Sequence, residues 1–253
     1  MMKLSVLILF LPVLFSFVGC QTDTANVVHS FAEQDTLTAM IEREISQKKA
    51  RRADVERFRR RALPRDFSTK IKAYYPGIRK YSKRYGIDWR LVIAQILKES
   101  YFREDARSHV GAMGLMQIMP RTAREITSEL DIAYIKDDPH ENINAGIYHM
   151  NKQLKYFKEA DAENRIKLAL AAYNGGPARV FDAQDIARFK KLDPNTWEAV
   201  RECLPLLTPK HRNLHLEVWP QGRPDFGYFY GSNETVGYVD DIFQNYALLQ
   251  QMY

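Results

Sequence analysis

One stretch of the sequence puts a carboxylate where its proton can be used. In Asp88-Trp-Arg-Leu-Val-Ile-Ala-Gln-Ile-Leu-Lys-Glu99-Ser100, residues Trp89, Val92, Ile93, Ile96 and Leu97 recur at helix-face spacing. Asp88 is a good N-cap for that helix. Glu99 lies three residues past Ile96, on the edge of the apolar stripe and in the last turn. Partial desolvation raises a carboxyl pKa, and the negative end of the helix dipole adds to the rise. Both effects favour a protonated Glu99 near neutral pH, the state a general acid requires. An isolated glutamate at a helix end is more often simply solvated, so the neighbouring sequence has to decide.

After Glu99 come Tyr101-Phe102 and Asp105-Ala106-Arg107-Ser108, then Gly111-Ala112-Met113-Gly114-Leu115-Met116-Gln117-Ile118-Met119-Pro120. Two glycines three apart permit left-handed turns, and Pro120 suits the first turn of a new helix. The loop is therefore expected to fold back beside the Glu99 helix end, with Ser108, Gln117 and Met119 facing it across a groove. Three further blocks follow in order. They are Asp138-Pro139 with Asn142-Ile143-Asn144-Ala145-Gly146, then Ala171-Ala172-Tyr173-Asn174-Gly175-Gly176-Pro177, then Glu234-Thr235 with Tyr238-Val239.

Together these four blocks resemble the signature of the soluble-lytic-transglycosylase (family 1) catalytic domain of lytic murein transglycosylases. The resemblance runs over residues 67–250. It departs at Glu104, where the family often has proline, and in the long loop before the last block. It implies a mainly α, goose-type-lysozyme-like domain with a substrate groove, working without a cofactor. It also implies cleavage of the MurNAc-β-1,4-GlcNAc bond of peptidoglycan without water, leaving 1,6-anhydroMurNAc ends. Glu99 would be the single catalytic acid and base. Ser108 would bond near the N-acetyl or C6 hydroxyl group, Gln117 would bond sugar hydroxyls or amides, and Met119 would pack on a ring. Tyr173 and Asn174 would position the muramoyl unit, with Glu234 and Tyr238 lining or bracing the groove. Plainer roles stand beside these: Met116 and Met119 as core, Tyr173 as a satisfied buried aromatic, Glu234 as a helix cap. Two other activities fit the same fold, a goose-type-lysozyme-like hydrolase and a non-catalytic peptidoglycan-binding lipoprotein.

Positioning these residues takes a helical scaffold. Helical patterns run over roughly 67–84, 88–101, 120–130, 141–158, 163–173 and 234–251, and no strong alternating pattern occurs. Residues 181–230, broken by Pro194, Pro205, Pro209, Pro220 and Pro224, read as loops and short elements. Ahead of the domain (67–253), residues 1–19 form a signal peptide: Lys3 precedes an apolar run shorter than the roughly 20 residues a membrane span needs. Phe17-Val18-Gly19-Cys20 resembles a bacterial lipobox, which implies lipidation of Cys20 and a membrane anchor. Gln21 in place of aspartate implies the outer membrane, facing the periplasm. Residues 20–66 then comprise the anchor, a polar tether over about 21–36, and a helix over about 37–63. Nine basic and two acidic residues fall in 48–65, read as a solvated face rather than a contact with anionic polymer or headgroups. With Cys20 acylated, Cys203 has no intramolecular partner.

The 253-residue chain is 45% hydrophobic with formal net charge +6. That composition excludes a disordered protein and favours anionic partners. The expected partners are peptidoglycan strands, whose stems carry carboxylates, and the membrane. Nucleic acid is not expected, because no binding motif is present and the charge concentrates outside the domain. His211 and His215 have the spacing of a metal pair on a helix but lack the HExxH order, so no metal site is expected.

Overall fold

The computed structural model describes residues 24–132 and 135–253. The expected signal peptide and Cys20 lie outside the described residues. The chain divides into two compact units between Arg52 and Ala53.

The first unit holds most of α1 (Thr24–Ala62). This helix begins inside residues 21–36, where a tether was expected. Helical periodicity was the criterion, and the apolar residues of this mostly polar helix form no single face. Nothing from Thr24 to Ala62 is glycine or proline, so nothing breaks it. Its side chains from 38 to 52 are exposed.

In the second unit the last turns of α1 pack inward, with Phe58 5% exposed. Then come α2 (Phe67–Tyr85), α3 (Trp89–Glu99), α4 (Pro120–Leu130), α5 (Pro139–Tyr156) and α6 (Ala162–Gly175). These follow the sequence pattern to within about two residues at each end, the usual fraying of helix boundaries. Helix α3 is the centre: Leu91 to Leu97 are all buried, packed against α10 (Ser232–Met252) and α2. Helix α5 packs on α2 and α6, and α6 on α10.

Residues 181–230 need a correction. They open with a regular helix, α7 (Pro177–Phe189), which packs on α6. Val180, Ala183, Ile186 and Ala187 on its inner face are fully buried. Short pieces follow: α8 (Trp197–Cys203), two 3-10 turns (Leu204–Leu207, Pro209–His211) and α9 (Arg212–Val218). Pro177, Pro205 and Pro209 each sit in the first turn of an element. There proline starts a helix rather than breaking one. Cys203 is a buried free thiol. His215 is buried as well and donates through Nε2 to the Leu206 carbonyl, 2.7 Å away. Among the described residues there is no β-strand, only isolated bridges joining Met113 to Arg107 and to Ile118.

Candidate active site

Asp88 caps α3 by accepting from the Arg90 amide, and eleven residues on the helix delivers Glu99 at its last position. The chain then reverses within two residues. Tyr101 (φ 54°) and Phe102 (φ 59°) are both left-handed without being glycine, a conformation that persists only where surroundings over-determine it. The surroundings here are specific. Phe102 is 1% exposed and packs edge-on against Phe67, and its carbonyl accepts from Lys70 Nζ at 2.9 Å. Glu104, at the family's proline position, accepts the Tyr74 hydroxyl.

The returning loop is laced by its own backbone. Met113 and Ile118 exchange N–H···O bonds; Ser108 donates its amide to the Ala112 carbonyl at 3.0 Å, and its hydroxyl takes the Ala112 amide at 2.9 Å. Gln117, also left-handed at φ 47°, donates its amide to the Ala106 and Gly114 carbonyls. Asn142 on α5, 2% exposed, stitches the loop to the body. It donates to the Met113 and Ile135 carbonyls and accepts from the Met116 amide at 2.8 Å. Two glycines make room: a Cβ on Gly114 would lie 2.4 Å from Asn142 Nδ2, and one on Gly146 would lie 2.5 Å from Met116 Cβ. The second sequence block is thus the floor on which the first rests.

The third and fourth blocks close the site. Tyr173 donates its hydroxyl to the Met116 carbonyl at 2.8 Å and packs its ring on His149. Asn174 accepts the Thr235 hydroxyl at 2.7 Å. A Cβ on Gly175 would lie 3.0 Å from Thr235 Oγ1. Tyr238, 3% exposed, donates to Glu99 Oε1 at 2.5 Å and accepts from Gln95 Nε2 at 3.1 Å.

Glu99 is half-buried. Burial pushes it up to about 8, against the Tyr238 hydrogen bond and the Lys98 ammonium, which pull it down. Lys98 itself is paired with Asp241 on α10 at 2.6 Å. The Tyr173 and Tyr238 hydroxyls are held well above the ordinary tyrosine range, first by burial and then by the nearby Glu99. Burial also lowers His149 to about 4, so it stays neutral behind Tyr173. One carboxyl oxygen is therefore held by Tyr238, and the other can carry a proton near neutral pH. That is the equipment of a general acid that afterwards serves as a base.

Of the residues read from the sequence, the structure gathers Glu99, Tyr173 and Tyr238. Ser108 and Gln117 spend polar atoms on the loop itself, and neither hydrogen-bonds Glu99. Met116 is fully buried and Met119, the N-cap of α4, is 39% exposed, so the two methionines part ways. Asn174 and Glu234 are exposed, the latter in the first turn of α10. Sequence reasoning missed Gln95, Asn142 and Thr235. Gln95 had a signal: an amide inside an otherwise apolar helix face, four residues before Glu99 and so on the same side.

Comparison with known proteins decides the family. Residues 76–195 match the model described as Transglycosylase SLT domain.

This chain carries an SLT domain.

The membrane-bound lytic murein transglycosylase F of Desulfosudis oleivorans is 35% identical over 201 residues, covering 78% of this chain and 40% of the relative. Its namesake from Shewanella pealeana is 34% identical, covering 78% and 39%. The chain thus spans about two fifths of the length of these curated relatives. Among solved structures, an inactive mutant of the lytic transglycosylase Slt from Pseudomonas aeruginosa is similar at 26% identity and TM-score 0.47, covering 74% of this chain and 25% of that one. The SLT match takes in the loop, the Asn142 floor and Tyr173; Glu234 and Tyr238 lie beyond its end at 195.

Proposed function

We propose that this protein is a peptidoglycan lytic transglycosylase that cleaves the MurNAc-β-1,4-GlcNAc bond without water. The observation that carries the reading is the Glu99 carboxyl: half-buried, raised to about 8, with Oε1 held by Tyr238. The SLT match and the names of the relatives support it.

In the proposed reaction Glu99 gives its proton to the glycosidic oxygen, and the C1–O bond breaks towards the GlcNAc hydroxyl. The muramic ring takes on oxocarbenium character, and its own N-acetyl group stabilises C1. Glu99, now a carboxylate, removes the proton of the C6 hydroxyl, and O6 closes on C1. Glu99 ends as it began, and no water is consumed. The groups that shift Glu99 are Tyr238 and Lys98, with no carboxylate among them. That suits chemistry in which one residue is acid and then base, rather than the two-carboxylate arrangement. Ser108, Gln117, Met119, Asn174 and Glu234 line the path of the glycan in this reading, and Tyr173 holds the loop against it.

The proposed location is the cell envelope, with Cys20 lipidated and the anchor in the outer membrane facing the periplasm. The relatives' printed description as membrane-bound supports an envelope location. Among the described residues no helix is long and apolar enough to cross a membrane.

Mass spectrometry of muropeptides released from purified sacculi tests the reaction, with Glu99→Gln in parallel. Products lighter by one water than reducing muropeptides, formed by wild type alone, are expected. Reducing ends would instead make the protein a hydrolase, and equal release by both proteins would remove Glu99 from catalysis.

A further inference from the structure

We propose a second binding site, for a phosphate group, in the cavity where α2 turns into α3. It lies at the far end of α3 from Glu99, about 16 Å away along an eleven-residue helix. The cavity measures about 570 Å³, and its wall includes Arg79, Lys80, Ser82, Lys83, Trp89 and Arg90.

The first observation is charge. Helix α2 contains no acidic residue from Phe67 to Tyr85. Arg79, Lys80 and Lys83 form no ion pair among the described residues. Arg79 lies over the Tyr75 and Trp89 rings, 6.0 and 5.8 Å from their centroids, and Lys80 lies over Tyr81. The one carboxylate in the wall, Asp88, is already engaged. It accepts the Arg90 amide, pairs with the Arg90 guanidinium at 3.3 Å and accepts the Tyr246 hydroxyl at 3.0 Å. Arg90 Nη2 also donates to the Tyr253 carbonyl oxygen at 3.0 Å. Even so, three cations in the wall face no counter-charge.

The second observation is independent of charge. Ser82 is 3% exposed and its hydroxyl has no hydrogen-bond partner, although a buried helical serine ordinarily bonds back to the preceding turn. Arg90 Nε is likewise buried without a partner. Both residues belong to the wall of the cavity, and a buried polar group without a partner calls for one. Phosphate fits both observations. Its unprotonated oxygens accept, it carries up to two charges, and it is bound by lysine as a point charge and by arginine through its fork. A carboxylate would leave most of the cationic wall unmatched.

The test uses the full chain at low ionic strength, titrated with inorganic phosphate in a calorimeter. Wild type should bind saturably. Arg79→Gln with Lys83→Gln should weaken binding by roughly tenfold or more, as loss of charge-assisted hydrogen bonds implies. Ser82→Ala, which leaves the surface charge intact, should weaken it by roughly tenfold, as loss of a hydroxyl hydrogen bond to an anion implies. Cleavage of sacculi should be unchanged in both variants. A second arm uses phosphatidylcholine vesicles with and without phosphatidylglycerol. Weaker sedimentation of the double variant with the anionic vesicles identifies a lipid headgroup as the source. Equal sedimentation, with the calorimetric loss retained, identifies free phosphate. Phosphate affinity that survives the double variant overturns the site. So does displacement of phosphate by equimolar acetate, which would make it a carboxylate site.

Discussion

The two ends of α3 start from the same kind of side chain and do opposite things with it. At the N-terminus Asp88 caps the helix, pairs with Arg90 and accepts a tyrosine hydroxyl. At the C-terminus Glu99 also receives a tyrosine hydroxyl, from Tyr238, yet burial pushes it up to about 8. The helix dipole favours the anion at the first end and opposes it at the second. The surroundings differ in the same sense. Asp88 borders a cationic corner, whereas Glu99 sits among aromatic hydroxyls whose own charges are suppressed. One helix thus separates a carboxylate that stabilises from a carboxyl that keeps its proton to higher pH. What distinguishes them is desolvation together with the count of donors.

The largest test of that contrast is Glu99→Gln. Removing the proton donor should lower cleavage by about a thousandfold or more, the range for a general acid and base combined. The same variant should change stability in a pH-dependent way. The folded-state pKa of Glu99 lies above its ordinary 4.5, so the folded protein binds more protons than the unfolded chain between about 4.5 and 8. Stability therefore falls as pH rises through that window. Glu99→Gln should melt close to wild type at pH 5 and a few degrees higher at pH 9, by differential scanning calorimetry. Equal melting shifts at both pH values would mean that Glu99 is not buried against its charge.

Next in size is the floor beneath the loop. Gly146→Ala forces a methyl into Met116, so repacking should cost about 1–3 kcal/mol. Cleavage should fall with it, because Met116 ties Asn142 to Tyr173. Denaturant unfolding read beside muropeptide release checks both. Wild-type activity in a destabilised protein would show that the loop's position does not matter. Tyr238→Phe is milder. It removes one charge-assisted hydrogen bond, and a loss of roughly tenfold in kcat is expected. That bond lowers the Glu99 pKa, so without it the high-pH limb of the rate profile should move upward. A limb that stays put or moves down would assign Tyr238 to the scaffold alone.

How much of this was legible in the sequence follows from which interactions are local. The Asp88 cap, the apolar face of α3, Glu99 at its end and the start of α4 at Pro120 are set within a few residues, and all stand as read. Tyr238 was found only because its motif came with it; its bond to Glu99 spans 139 residues. Asn142 was quoted but given no role, since an asparagine that bonds two carbonyls and an amide looks like any other in a helical pattern. Ser108 and Gln117 look like ligand-facing groups in sequence, yet the loop's own backbone claims much of their bonding capacity. Helix α7 was missed because residues 181–189 were read together with the proline-broken stretch that starts at Pro194. The helical start of α1 was missed because apolar residues scattered around a mostly polar helix leave no stripe to find.

The smallest expected effect lies back at the first end of α3. Asp88→Ala removes the cap and a partner of Arg90 and Tyr246, and should cost about 1 kcal/mol. Asp88→Asn should restore most of that, because an asparagine oxygen still accepts the Arg90 amide. Neither should move the pH profile of cleavage, since the surroundings of Glu99 are built from Gln95, Lys98, Tyr173 and Tyr238 and not from the helix start. Unfolding midpoints and pH–rate profiles of the two variants check this together. A profile displaced by Asp88→Ala would mean that fraying at one end of α3 reaches the other. The helix would then be less rigid than its buried face implies, and the separation of the two carboxyl groups would be a matter of degree.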